Sequence, residues 1–312
     1  MTFSHHDDTE VTYASPNVTL STNAKRWNFK QKFVYTFARL FIPRTFERLF
    51  DIEVNGTEHL KQFPEGTPLI FCGNHKSHLD ALIFGSAIAN PKRHLRNFVA
   101  FMVNGKAMNE NFFFRQMKLF GGFPVLKENP EPALRYAIET LKANLSVIIF
   151  PQGGRVSRAS VLSDYHNLTQ EGKTGVGRII LRLNGKVPVV PFYIHGSENV
   201  LKVGSVMPKW GSKMSITFGK PIYFSKYTKT NGWDQNSSEF FESARSIANS
   251  IMGDIWQILK QVEAAFLELL EKELGLPLDK IDENLYSTKI INIISKVKNI
   301  KNQDLYKFIY RK

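Results

Sequence analysis

Pro68-Leu69-Ile70-Phe71-Cys72-Gly73-Asn74-His75-Lys76-Ser77-His78-Leu79-Asp80 is the stretch on which the reading of the chain turns. Its first half is an apolar run of strand length that ends at a glycine. Its second half is polar and leads into Asp80–Ile88, which reads as a helix. A buried strand that turns through polar residues into a helix is the repeating unit of an α/β layer. The alternation continues outward, with short buried strands expected over Phe98–Val103, Val147–Phe150 and Val187–Tyr193. Helices are expected between them, over Pro130–Ala143 and Lys173–Asn184. Residues 51–224 therefore predict an α/β domain, a layered mixed sheet flanked by helices, without internal repeat.

The flanks differ in character. Residues 1–24 are polar, without helical period, and read as disordered. Residues 25–50 carry seven Lys/Arg against one acid, Glu47, interleaved with Trp27, Phe29, Phe33, Phe37, Phe41, Phe46 and Phe50. Phe33, Phe37, Leu40 and Phe41 share one helical face, so this segment reads as an N-terminal amphipathic helix suited to a bilayer interface, or else as a domain-packing helix. Residues 225–312 read as a helical extension. Ser238–Leu274 keeps a helical period, with Gly253 as a candidate kink and Gly275-Leu276-Pro277 as the stop. Lys289–Lys312 has seven basic residues against Asp304 alone and is either a second surface-binding element or a solvated helix.

Composition narrows the partners. A formal net charge of +13 and a pI near 9.6 call for an anionic partner: nucleic acid, phosphorylated small molecules or acidic lipid. The single cysteine, Cys72, excludes an internal disulfide and any Cys-rich metal site, and it suits a reducing compartment. No run reaches the roughly 18 apolar residues of a membrane span. No basic residue precedes Lys25, and there is no apolar signal segment. A peripheral protein on the cytoplasmic face is the expectation. Seven Lys/Arg between Pro91 and Lys127, with Phe112, Phe113, Phe114 and Phe120 clustered among them, could suit single-stranded nucleic acid, but no nucleic-acid motif accompanies them, and core packing, an acyl chain or a lipid surface explains the cluster better.

The chemistry-bearing residues follow strand ends. His75 and Asp80, five apart, would lie about 140° apart on a continuous helix. They meet only if His75 sits in the turn and Asp80 in the first helical turn, a geometry that the capping-box form Ser77-x-x-Asp80 supports. A carboxylate-held histidine keeps one ring nitrogen free as a base toward a hydroxyl. The plainer reading makes Asp80 a helix cap and His75 a loop histidine. Ligation of a metal by His75, His78 and Asp80 lacks a second ligand cluster, and Cys72, within an apolar strand, reads as an inert core thiol. A second group, Phe150-Pro151-Gln152-Gly153-Gly154-Arg155, combines glycines that permit close backbone approach with a guanidinium suited to phosphate.

Taken in order, these segments resemble the lysophosphatidic acid acyltransferase family. The family's N-H-x4-D block is matched by Asn74, His75 and Asp80. Its G-G-x-F-I-D-R block is similar to Gly121–Lys127, with Pro124 for Phe, Leu126 for Asp and Lys127 for Arg. Its F-P-E-G-T-R-S block is similar to Phe150–Val156, with Gln152 for Glu, Gly154 for Thr and Val156 for Ser. Val187-Pro188-Val189-Val190-Pro191 matches its fourth block, a Val-Pro-rich strand, and Phe218-Gly219-Lys220-Pro221-Ile222 resembles its closing strand and turn. The resemblance covers residues 51–224 and implies acyl transfer from acyl-CoA or acyl-carrier protein to the hydroxyl of 1-acylglycerol-3-phosphate in phospholipid synthesis. It implies His75 as base and Asp80 as its orienting partner. Lys127, Gln152, Gly153, Gly154 and Arg155 would line the acceptor phosphate site, and neither metal nor cofactor is expected. The altered second and third blocks leave open another lysophospholipid or glycerol-3-phosphate as acceptor. A catalytically inactive membrane-binding scaffold is the reading from another class.

Overall fold

The computed structural model describes residues 10–12, 19–21, 37, 45, 48–89, 99–154, 161–200, 209–275 and 277. The amphipathic segment 25–50 lies outside them except for Phe37, Thr45 and 48–50, and 278–312 lies outside entirely. The elements in chain order are β1 (Glu10–Thr12), β2 (Thr19–Ser21), β3 (Asp51–Asn55), α1 (Glu58–Lys61), β4 (Ile70–Gly73) and α2 (Asp80–Ala89). There follow β5 (Val99–Asn104), α3 (Gly105–Glu110), α4 (Phe112–Gln116), β6 (Gly122–Val125), α5 (Glu131–Lys142), β7 (Ser146–Ile149) and α6 (Val161–Leu168). The last are α7 (Gly175–Arg182), β8 (Val189–His195), α8 (Ser197–Val200), β9 (Lys213–Phe218), α9 (Ser238–Val262) and α10 (Ala264–Leu274).

Seven strands form one mixed sheet in the order β3-β9-β8-β4-β7-β5-β6. Pairing is parallel throughout except between β8 and β9, so β8, β4, β7, β5 and β6 all end on the same edge. Strand β4 lies in the middle, bonded to β7 on one side and β8 on the other. Helices cover both faces, which is why β4 and β8 read as unbroken apolar runs rather than alternating ones. Phe71, Phe84, Phe192 and Phe218 pack edge-on or tilted within the core, with Phe84 and Phe192 centroids 4.6 Å apart. Cys72 is fully buried and its thiol is pushed well up by that burial, in keeping with an inert core cysteine.

Three departures from the sequence reading have physical causes. The stretch expected to be disordered contains the antiparallel pair β1–β2, in which Val11, Thr12, Thr19 and Leu20 supply β-prone residues. Phe50, grouped with the interface residues by composition, is a core residue: it is 3% exposed and stacks on Trp210 at 5.6 Å. The break in the C-terminal helical run falls at Glu263, while Gly253 stays inside α9. Gly275 ends α10 in the left-handed conformation, as the Gly-Leu-Pro sequence predicts. The compact units run from 1 to 258 and from 259 to 312, so most of α9 belongs with the sheet unit.

Helices α7 and α9 touch backbone to backbone. A Cβ at Gly177 would fall 2.0 Å from the Ala244 carbonyl oxygen, a rigid neighbour that cannot yield. Gly177→Ala should therefore destabilise the sheet unit by about 2 kcal/mol or more, read as a lower urea midpoint at unchanged slope. An unchanged midpoint would mean that the two helices do not approach this closely.

Candidate active site

Strand β4 delivers Gly73 to the edge where the parallel strands end, the usual location of ligand crevices in open α/β sheets. Gly73 has no room for a side chain: a Cβ there would lie 2.3 Å from the Phe192 ring. The chain then turns through Asn74–Leu79 and enters α2 at Asp80, the strand–turn–helix path that brings two residues five apart together. The His75 Nδ1 and Asp80 Oδ2 lie 2.8 Å apart. The same oxygen accepts the backbone N–H of Lys76 at 2.7 Å and of Ser77 at 2.8 Å. An oxygen already accepting from two amides is not the protonated one, so the ring nitrogen facing it carries the hydrogen. In the neutral ring Nε2 is then the nitrogen with the lone pair.

The capping contacts and the histidine contact of Asp80, set out as rival readings, thus converge on a single oxygen. The carboxylate reaches back to Ser77 N–H as a capping box requires, and Ser77 Oγ accepts from Leu79 N–H at 3.3 Å. Asp80 is completely buried, whereas the His75 side chain keeps 23% of its surface. The imidazole stacks on Phe150 with centroids 4.2 Å apart and planes at 11°, which fixes its tilt. His78 turns away to meet Phe114 edge-on at 5.0 Å. Among the described residues no group of three His, Cys, Asp or Glu is arranged to hold a metal ion.

The neighbouring strand β7 brings Phe150–Gly154 alongside. Gly153 adopts φ +77° as its N–H bonds to the Phe150 carbonyl at 2.9 Å, a left-handed conformation that favours glycine. The Gln152 side-chain oxygen accepts the His75 backbone N–H at 2.8 Å, which fixes the amide orientation and ties the two loops together. Its Nε2 is buried and has no hydrogen-bond partner among the described residues. Gly154 is exposed, Lys127 lies just beyond β6 at the same sheet edge, and Arg155 lies outside the described residues.

Several residues that the sequence reading did not assign are drawn in. The Lys173 stem lies over Gly153, where a Cβ would meet its Cγ at 2.4 Å, so an exposed cation borders the turn. Asn74 donates to the Ile194 carbonyl at 2.9 Å and accepts Ile194 N–H at 2.7 Å, fastening the histidine loop to β8. Lys76, whose side chain is fully buried, forms an ion pair with Asp164 at 2.8 Å. The local clue was only a lysine in a loop; its partner is distant in sequence.

Fold and site together define an α/β protein with a carboxylate-oriented histidine at the carboxyl edge of its parallel strands, a layout suited to base-assisted group transfer. Residues 51–195 match the Acyltransferase family model. A curated relative, the chloroplastic 1-acyl-sn-glycerol-3-phosphate acyltransferase BAT2 of Brassica napus, is 26% identical over 205 residues, 64% of this chain. The chain spans about half the length of that relative, 53%. The crystal structure of the 1-acyl-sn-glycerophosphate (LPA) acyltransferase PlsC from Thermotoga maritima is similar in fold. It is 20% identical with a TM-score of 0.52, covering 75% of this chain and 81% of that one. The matched stretch, residues 51–195, contains both His75 and Asp80.

Proposed function

We propose that the chain transfers a fatty-acyl group from acyl-CoA or acyl-carrier protein to the free hydroxyl of 1-acylglycerol-3-phosphate. The observation that carries this reading is the His75–Asp80 contact, which engages Nδ1 and leaves Nε2 on the side of the ring facing away from the carboxylate. Nε2 takes the proton of the acceptor hydroxyl as its oxygen attacks the thioester carbonyl. The carbon–oxygen bond forms, the carbon–sulfur bond breaks, and the imidazolium returns the proton to the departing thiolate. Asp80 stabilises the positive ring in between. A thioester is already activated, so the reaction as written calls for no metal or cofactor. The activities by which BAT2 and PlsC are named support the acceptor class.

Lys127, Arg155 and the amides of Gly153 and Gly154 are the proposed phosphate contacts, with Lys173 added by its place over Gly153. The surroundings are proposed to be the cytoplasmic face of an anionic membrane, with the basic aromatic segment 25–50 as the docking element. Among the described residues no helix is long and apolar enough to cross a membrane. A panel assay tests the acceptor. With labelled acyl-CoA and acyl-carrier protein, kcat/KM should be highest for 1-acylglycerol-3-phosphate and about a hundredfold lower for monoacylglycerol, which lacks the phosphate. A higher value for glycerol-3-phosphate or another lysophospholipid would replace the acceptor. No turnover with either donor, alongside tight binding to anionic liposomes, would leave the scaffold reading.

A further inference from the structure

A second carboxylate lies behind the histidine loop, on an element outside the matched motifs. Asp164, on α6, is fully buried, and its Oδ2 receives three donors. These are Asn74 Nδ2 at 3.0 Å, Lys76 Nζ at 2.8 Å and the Tyr193 hydroxyl at 3.2 Å. Asn74 and Lys76 are the residues immediately before and after His75. One oxygen therefore holds both flanks of the histidine, while Asp80 Oδ2 holds the ring and the next two amides. Lys76 links the two carboxylates, its main-chain N–H on Asp80 and its ammonium on Asp164. The ammonium also touches the Tyr193 hydroxyl at 3.1 Å and approaches Glu198 at 3.6 Å.

We infer that Asp164 is a positioning residue for His75, acting through Asn74 and Lys76 to hold the loop in the one path that points the imidazole at Asp80. This rests on the reading of His75 as the base. A buried ion pair is a poor source of net stability, because desolvating two charges offsets most of their attraction. Here burial dominates, raising the Asp164 carboxyl to about 6 against the opposing pull of Lys76. The arrangement gains geometry: Asp164 ties the side chains on both sides of His75 to α6, adding to the Asn74–Ile194 and Gln152–His75 bonds and to the contacts of Lys76 with Asp80 and Tyr193.

The test compares Asp164→Ala, the double variant Asp164→Asn/Lys76→Met and His75→Ala in the full chain. Each is read by kcat and KM for 1-acylglycerol-3-phosphate and by thermal melting, and the two Asp164 variants also by the rate at which diethyl pyrocarbonate modifies His75. Asp164→Ala should lower kcat about a hundredfold, the cost of a misplaced reacting group, with KM changed by no more than about twofold. The modification rate should rise as the ring loosens, a readout that requires neither turnover nor substrate. The double variant removes both buried charges; it should melt near the parent while kcat stays low and His75 stays more reactive. Recovery of kcat and of the parental modification rate in that variant would overturn the inference, making the cluster a matter of stability alone. The inference also falls if Asp164→Ala leaves both kcat and the modification rate unchanged. If Asp164→Ala fails to fold, the double variant decides. Activity surviving in His75→Ala would instead remove the base assignment, and the modification rates would still decide whether Asp164 positions the ring.

Discussion

His75→Ala is expected to lower kcat for acyl transfer by about a hundred- to ten-thousandfold while the protein still folds. The loss follows from removing the group proposed to accept the hydroxyl proton, since Nε2 is the ring atom that Asp80 leaves available. Folding should survive because the side chain is partly exposed and its backbone N–H, held by Gln152, is untouched by the substitution. What is lost is the stack on Phe150 and one of three donors to Asp80 Oδ2, together about 1–2 kcal/mol. The measurement is single-turnover transfer alongside a melting curve. Transfer at the parental rate would eliminate His75 as the base.

The second large effect separates the two roles that meet at Asp80. Asp80→Asn keeps an oxygen for the Lys76 and Ser77 amides but lacks the charge that favours the positive imidazole. A drop in kcat of about a thousandfold or more is expected, with melting little changed. Asp80→Ala removes the acceptor altogether and leaves two buried amides and a ring nitrogen without a partner. It should lose activity to a similar degree and, in addition, about 2–4 kcal/mol of stability. Equal stability of the two variants would mean that the amides find other partners and that the cap is dispensable. Equal activity of Asp80→Asn and the parent would mean that the carboxylate does not act on the ring.

The central strands were legible because they are buried on both faces: Ile70–Gly73 and Val189–His195 match the expected runs Pro68–Cys72 and Val187–Tyr193 to within two residues at each end. The outer strands were not. Asp51–Asn55 is polar at alternate positions and only half buried, and Lys213–Phe218 follows a polar stretch and has Ser215 and Thr217 between its apolar residues. Each becomes a strand through pairing with a partner more than a hundred residues away, information that a local window does not contain. The same limit governs the site. His75 and Asp80 were findable because their five-residue spacing is local and a strand–turn–helix path brings them together. The Gln152 contact spans 77 positions and the Asn74–Asp164 contact 90, with nothing in either segment to mark the partner. Asp164 stands in a stretch whose sequence alone suggested no role.

Cys72 sits at the centre of the sheet, with β7 on one side and β8 on the other, three residues before His75. Its thiol is completely enclosed and is the chain's single cysteine. A thiol reagent can reach it only when the middle of the sheet parts, so its labelling rate is a clock for the rarest and deepest opening of the domain. The molecule thereby carries its own stopwatch, placed next to the histidine whose surroundings it would time.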